Sequence, residues 1–176
     1  MSFRDILADG TQVRRSAKTR TRGIELEGEY RLGDVFSIRF NFTQQDPKYE
    51  SFTGAAVDNT GNRIRRIPET MGRITPTFSF MEDRGRAYLT YTYVGERFSN
   101  DENTIKLPSY YKLDAGVIFS VGSNWVFQLS GDNLTDEVGL TEGNPRTDVG
   151  ATGVGALFMA RPLFGRSFLG SVTFKY

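Results

Sequence analysis

The chain has no cysteine and no histidine. The first absence removes disulfides, thiolate metal centres and cysteine catalysis together. The second removes the commonest metal ligand and the commonest general base. Long apolar runs are missing too: nowhere do 18 apolar residues follow one another, which excludes a membrane-spanning helix. Charge is balanced, 22 Lys and Arg against 21 Asp and Glu, so there is no electrostatic footprint for nucleic acid. The basic runs Arg14-Arg15 and Arg63 to Arg66 are read as solvated loop segments. Met1-Ser2-Phe3-Arg4-Asp5-Ile6 has neither the charged start, the apolar middle nor the small-residue cleavage site of a secretory signal. No nucleophile, base and orienting group converge on any motif, so an enzyme is not expected. No cofactor or metal site is expected either.

What the sequence has is alternation. Ile24, Leu26, Tyr30 and Leu32 alternate with Glu25, Glu27, Glu29 and Arg31. After Gly33-Asp34, Phe36, Ile38, Phe40 and Phe42 alternate with Ser37, Arg39, Asn41 and Thr43. Five further stretches do the same, around Ile74 to Phe80, Ala87 to Tyr93, Tyr111 to Phe119, Trp125 to Ser130 and Phe168 to Tyr176. Side chains of a strand point to opposite faces in turn, so each stretch has one oily and one polar face. Ten residues at about 3.3 Å each, tilted by about 45°, rise roughly 23 Å, close to the apolar band of an outer-membrane barrel.

A soluble antiparallel sheet would alternate as well, and the connections break the tie. The joins at 33–34, 82–85 and 122–124 are tight, whereas 45–70, 97–109 and 134–165 are long, polar and rich in Gly, Asn, Asp and Pro. Short turns at one end and long loops at the other are the habit of outer-membrane barrels. Aromatic rings near strand ends suit interfacial girdles: Tyr91, Tyr93, Tyr110 and Tyr111 on the loop side, Trp125 and Tyr176 on the turn side. With periplasmic turns, an odd count of seven strands puts the two ends of the chain on opposite sides of the membrane. A closed barrel has an even count, so the expectation is the last third or so of a larger protein.

Four motifs in order carry a resemblance. Arg22-Gly23-Ile24-Glu25-Leu26-Glu27 and Leu107-Pro108-Ser109-Tyr110-Tyr111-Lys112-Leu113-Asp114 each open a strand, Asp132-Asn133-Leu134-Thr135-Asp136 closes the penultimate one, and the last strand ends on an aromatic. From about residue 20 to 176 the chain resembles the C-terminal region of TonB-dependent outer-membrane receptors. Residues 1–19 are then a loop remnant or an irregular end. The resemblance implies an all-β, antiparallel transmembrane segment of about seven strands from a 22-stranded barrel around a plug domain. It also implies a place in the bacterial outer membrane and import of a scarce solute such as an iron–siderophore, cobalamin or an oligosaccharide. External loops would form the outer part of the binding site. The implied partners are outer-membrane lipid, the remaining barrel and plug, the TonB energy-coupling system and the barrel-insertion machinery.

Each candidate site has a plain reading beside a sharper one. Glu25, Glu27 and Glu29 could suggest a cation site, but carboxylates at i, i+2 and i+4 are about 7 Å apart along a strand. With Arg39, Arg73 and Asp114 they are read instead as a lumen-facing polar wall. The Gly150 to Gly155 cluster matches neither phosphate-loop order. Asn41-Phe42-Thr43 and Asn133-Leu134-Thr135 fit a glycosylation sequon but fall in or beside strands. Residues 154–160 are expected to be loop, although an eighth strand there would permit a small closed outer-membrane barrel of structural or adhesive role. A soluble ligand-binding barrel would turn the apolar face inward. By resemblance to outer-membrane barrels generally, Val172, Phe174 and Tyr176 form an assembly signal.

Overall fold

The computed structural model describes residues 2–6, 12–52, 57–143 and 159–176. Among them are β1 (Ser2–Ile6), β2 (Gln12–Ser16), β3 (Lys18–Leu32), β4 (Phe36–Ser51), β5 (Thr70–Phe80), β6 (Gly85–Val94) and β7 (Arg97–Phe98). They are followed by β8 (Lys106–Leu107), β9 (Tyr110–Val121), β10 (Trp125–Asp132), β11 (Leu140–Gly143), β12 (Ala160–Pro162) and β13 (Ser167–Phe174). Seven of these form one antiparallel sheet in the order β13-β10-β9-β6-β5-β4-β3. The small pairs β1–β2, β7–β8 and β11–β12 lie at the loop ends of the chain path. The described residues within 1–19 are thus the paired strands β1 and β2, Ala17 and the start of β3.

The register keeps one face apolar across the whole sheet. Leu26 lies opposite Phe42 and Tyr30 opposite Ile38; Phe40 meets Ile74, Ile74 meets Tyr91 and Tyr91 meets Leu113. Further along, Phe127 sits between Phe119 and Val172. A slip of one residue in any ladder would turn that strand's oily set to the wet side, so the sequence pattern fixes the pairing. Glycines on the sheet stand under aromatic rings: a Cβ at Gly28 would come within 2.8 Å of the Phe40 ring, and one at Gly116 would meet Tyr88. At Gly23 the constraint is backbone approach, since a Cβ there would run into the Gln44 carbonyl oxygen and lie 2.9 Å from Gln45 Cα.

The turns at one end are short. Gly33 and Gly122 take the left-handed conformation, at φ 61° and 59°, that closes the β3–β4 and β9–β10 hairpins. The β5–β6 turn does this without glycine, with Met81, Glu82 and Asp83 all at positive φ.

Two strands run longer than the alternation suggests. The 16 residues of β4 span about 53 Å and rise about 37 Å at 45°, beyond an apolar band of about 25 Å. The upper ends of β3 and β4 thus stand clear of the band. Part of the segment expected to be loop from residue 45 is strand to Ser51. The expected loop at 154–160 lies outside the described residues except for Met159 and Ala160, and the Gly150 to Gly155 cluster lies outside them entirely; Ala160 opens β12, which pairs with β11.

Candidate functional site

Two surfaces on this frame hold polar chemistry, the polar face of the sheet and the cluster of long loops above it. On the sheet, the six residues read as a wall share the face opposite the apolar one, as the pairs Glu25 with Thr43, Glu27 with Asn41, Glu29 with Arg39 and Asn41 with Arg73 require. Glu29 is clamped between two guanidiniums, with Arg31 Nε at 2.6 Å and Arg39 Nη2 at 3.1 Å. Arg73 Nε donates to Thr92 Oγ1 at 3.3 Å. Glu25 and Glu27 have no side-chain partner among the described residues. No group of three metal-ligating side chains occurs among the described residues.

Asp114 differs from the other five. It takes Lys112 Nζ at 2.9 Å and accepts the backbone N–H of Asn133, also at 2.9 Å, so it supports the base of the last loop. Asn133 is 1% exposed. Its Nδ2 donates to the carbonyls of Glu137 and Phe164, at 3.0 and 2.9 Å, while its Oδ1 accepts the Glu137 N–H. One side chain thus holds both ends of a long connection together, which explains an asparagine at the end of β10. It also leaves no free amide there for a glycan, and Asn41 lies within β4.

The long loops form a built assembly rather than solvated tethers. Tyr49 at the top of β4 packs on Phe52 with ring centroids 4.8 Å apart, and both join Ala17 and Ile64 in a small core with Ile67 against it. The Tyr49 hydroxyl donates to Asp101 Oδ1 at 2.6 Å, crossing from the β4–β5 connection to the β6–β9 connection. Arg63 N–H donates to Asn103 Oδ1 at 2.7 Å, and Asn103 Nδ2 donates back to the Arg63 carbonyl at 2.9 Å. The Arg63 guanidinium reaches Glu96 at 3.0 Å and lies 4.8 Å from the Phe98 ring centroid. Its other nitrogen is 3.2 Å from Glu69, an ion pair without hydrogen-bond geometry. The expectation of a merely solvated run at Arg63 to Arg66 is corrected here: Ile64 is core and the flanking arginines are ties, because the hairpin of the neighbouring loop lies over them.

Arg97 joins the second loop to the third. Only 3% exposed, it donates to the carbonyls of Gly95 at 3.3 Å, of Leu140, and of Thr141 at 3.0 Å. Its guanidinium stands 5.3 Å from the Tyr110 ring centroid, so Tyr110 belongs to this cluster and not to an interfacial girdle. Burial lowers the Arg97 pKa from its ordinary value. Arg66 completes the connection, 2.6 Å from Glu142 and donating to the Gly143 carbonyl at 3.0 Å. An open hollow of about 350 Å³ lies here, lined by Arg66, Glu142, Gly143, Met159, Ala160 and Arg161. None of these loop residues was read as a site from sequence. The available signals were isolated apolar residues, Tyr49, Phe52, Ile64, Phe98 and Leu107, in otherwise polar stretches.

At the far end of the sheet, β13 carries Phe168, Val172 and Phe174 on the apolar face, with the Trp125 and Phe174 ring centroids 4.8 Å apart. Tyr176 lies beyond β13 and is fully exposed.

An antiparallel meander that is oily on one face and polar on the other, short-turned at one end and heavily looped at the other, is a sector of a transmembrane β-barrel. The first and last sheet strands, β3 and β13, are opposite edges and do not pair with each other. The family description "TonB dependent receptor-like, beta-barrel" matches residues 2–134, and the chain belongs to that family of bacterial outer-membrane proteins, which are not enzymes. It is similar to a ferrioxamine receptor of Yersinia enterocolitica, 27% identical over 119 residues that make up 66% of this chain and 16% of the relative. Among solved structures it superposes on the siderophore receptor PiuA of Acinetobacter baumannii with a TM-score of 0.75 and 21% identity, covering 98% of this chain and 24% of that one. The ferric yersiniabactin uptake receptor FyuA of Yersinia pestis gives 0.72 and 19%, covering 91% and 24%. The chain thus spans 16% of the curated relative and about a quarter of these solved receptors.

Proposed function

We propose that this chain is the C-terminal barrel sector of a receptor that imports a ferric siderophore. The observation that carries the reading is shared by the matched proteins: the Yersinia enterocolitica relative is described as a ferrioxamine receptor, and the solved structures as a siderophore receptor and a ferric yersiniabactin receptor. The fused loop cluster supports it, since a preorganised outer rim reduces the ordering cost of capturing a dilute solute. The polar face, with Glu25, Glu27, Glu29, Arg39, Arg73 and Asp114, lines a wet lumen and meets a plug domain. Val172, Phe174 and Tyr176 present the terminal strand to the barrel-insertion machinery, and the TonB system energises the cycle.

The test is uptake of radioactive iron by cells whose receptor carries this sector, offered as hydroxamate, phenolate or catecholate chelates, with and without the inner-membrane proton gradient. Energy-dependent accumulation of at least one chelate is expected. Uptake of cobalamin or an oligosaccharide, with no ferric chelate taken up, would overturn the proposal.

A further inference from the structure

One ladder of the sheet is broken inside the apolar band. At the head of β5 the Glu69 carbonyl accepts the Gln45 N–H, and the Thr70 carbonyl accepts the Gly95 N–H. Backbone groups of successive strand residues point to opposite neighbours in turn, so the odd residues of β5 bond β4 and the even ones bond β6. Pro76 is even, and it has no N–H to give. The β4–β5 ladder accordingly runs through it unbroken, with Pro76 opposite Ile38. The β5–β6 ladder pairs Ile74 with Tyr91 and next Thr77 with Tyr88, passing over Thr75 with Thr90 and Pro76 with Leu89. The Leu89 carbonyl therefore faces β5 without a ladder donor. In the other ladders of the seven-stranded sheet the single irregularity is at Lys18 and Thr19, above the band.

Pro76 is four residues from the turn end of β5 at Phe80, which places it about 9 Å up a band about 25 Å tall. A carbonyl at that depth has no water on the lipid side to replace the missing donor. What spans the gap lies on the polar face, where Thr75 Oγ1 and Thr90 Oγ1 are 3.0 Å apart. The loop cluster crosses the same seam from above. The Tyr49 hydroxyl on Asp101, the reciprocal Arg63–Asn103 bonds and the Arg63–Glu96 ion pair all run from the β4–β5 side to the β6–β9 connection. The Arg66 N–H adds a bond to the Phe98 carbonyl at 2.7 Å.

We infer that the β5–β6 seam is a hinge line in the barrel wall and that the loop cluster is its clamp. The inference rests on the barrel reading alone and not on which solute the receptor takes. β4 with β5 on one side, and β6 with β9 on the other, keep complete ladders of their own, so the wall yields first where a backbone bond is replaced by a pair of hydroxyls. Loosening the ties above the seam loosens the seam. A rearrangement of the loops is thereby passed to the wall within the membrane.

The experiment uses the receptor barrel that contains this sector, in detergent micelles. Heat-modifiable gel migration first shows that each preparation is a folded barrel, which tests the barrel reading separately. Amide hydrogen exchange then compares Ile74, Ala87 and Tyr91, whose N–H groups bridge the seam, with Val117, Phe127 and Leu129 on the unbroken β9–β10 ladder. In wild type the seam amides are expected to exchange faster. Pro76→Ala, which returns the missing N–H, is expected to slow them about tenfold, the scale of one backbone hydrogen bond, and to leave β9–β10 unchanged. Tyr49→Phe is expected to speed exchange at the seam and not at β9–β10, and most of that gain should disappear when it is combined with Pro76→Ala. If Tyr49→Phe does not give a folded barrel, Arg63→Gln takes its place. Equal exchange in the two wild-type ladders, no slowing by Pro76→Ala, or a clamp variant that speeds both ladders alike would overturn the inference while leaving the barrel intact.

Discussion

The sheet and the loop cluster bury their residues in opposite senses. Within the band, Ile24, Leu26, Leu129 and Phe168 are more than half exposed, and the sheet's oily face is covered by nothing among the described residues. The buried hydrophobic residues, Ala17, Tyr49, Phe52, Ile64, Phe98 and Leu107, lie in or beside the long connections. The segments that read as structure carry no core, and the segments that read as tethers carry one. The difference follows from solvent. A strand in hydrocarbon satisfies its backbone through its neighbours and leaves its apolar side chains in lipid, whereas a loop in water stays ordered only by burying something of its own.

The largest effect expected from this contrast concerns the sheet edges. The isolated chain, refolded in detergent, should give no sharp heat-modifiable monomer, because β3 and β13 expose unpaired backbone groups that each cost several kcal/mol in hydrocarbon. A compact monomeric band confirmed by light scattering would contradict this.

Within the complete receptor, Leu107→Ala should destabilise the loop cluster by about 2–5 kcal/mol, since the side chain is fully buried. Leu129→Ala, at a lipid-facing site 60% exposed, should cost far less. Hydrogen exchange of the amides at 97–107 separates the two, and equal effects would erase the distinction between the regions.

Charge in the band should obey the faces. Phe40→Arg near the middle of β4 is expected to cost about 2–4 kcal/mol and Asn41→Arg much less, measured by denaturant unfolding in lipid.

The smallest effect is a pH dependence confined to the loops. Hydrogen bonds from Arg63 and then Lys106 hold the Glu96 carboxyl below its ordinary value. Its contribution is therefore complete above the unfolded glutamate value of about 4.3 and is lost as pH falls through the lower folded value. Protease resistance of 95–109 should persist down through that window before failing. Loss beginning well above pH 5 would point to another group.

These expectations also mark what the sequence made legible. Seven strands, their faces and their tight turns were readable because period-two alternation survives wherever one face meets lipid. The upper ends of β3 and β4 were not, because from Arg22 and Asp46 onward the outward face turns charged and the contrast between faces disappears. The loop core was hidden for a different reason: Tyr49, Phe52, Ile64, Phe98 and Leu107 come from separate connections and show no period. Arg97 and Asn133 look like ordinary polar loop residues, and only the convergence of carbonyls from distant segments makes them ties. Asp114 alternates with the apolar residues of β9 and so shares the polar face, but its contact with Asn133 belongs to the loop base, which no period in the sequence announces.

The most direct test uses the absence of cysteine from this chain. In an otherwise cysteine-free receptor, single substitutions from Phe36→Cys through Glu50→Cys along β4 are probed in cells with a membrane-impermeant, water-soluble maleimide after the outer membrane is made permeable. From 36 to 43 the odd positions should label and the even ones should not, since the odd face is wet and the even face lies in lipid. From 46 to 50 the pattern should invert, with Asp46, Lys48 and Glu50 positions labelling while Pro47 and Tyr49, buried in the loop core, stay protected. Alternation that continues without inversion, or labelling of even positions within the band such as Ile38→Cys and Phe40→Cys, would contradict the account.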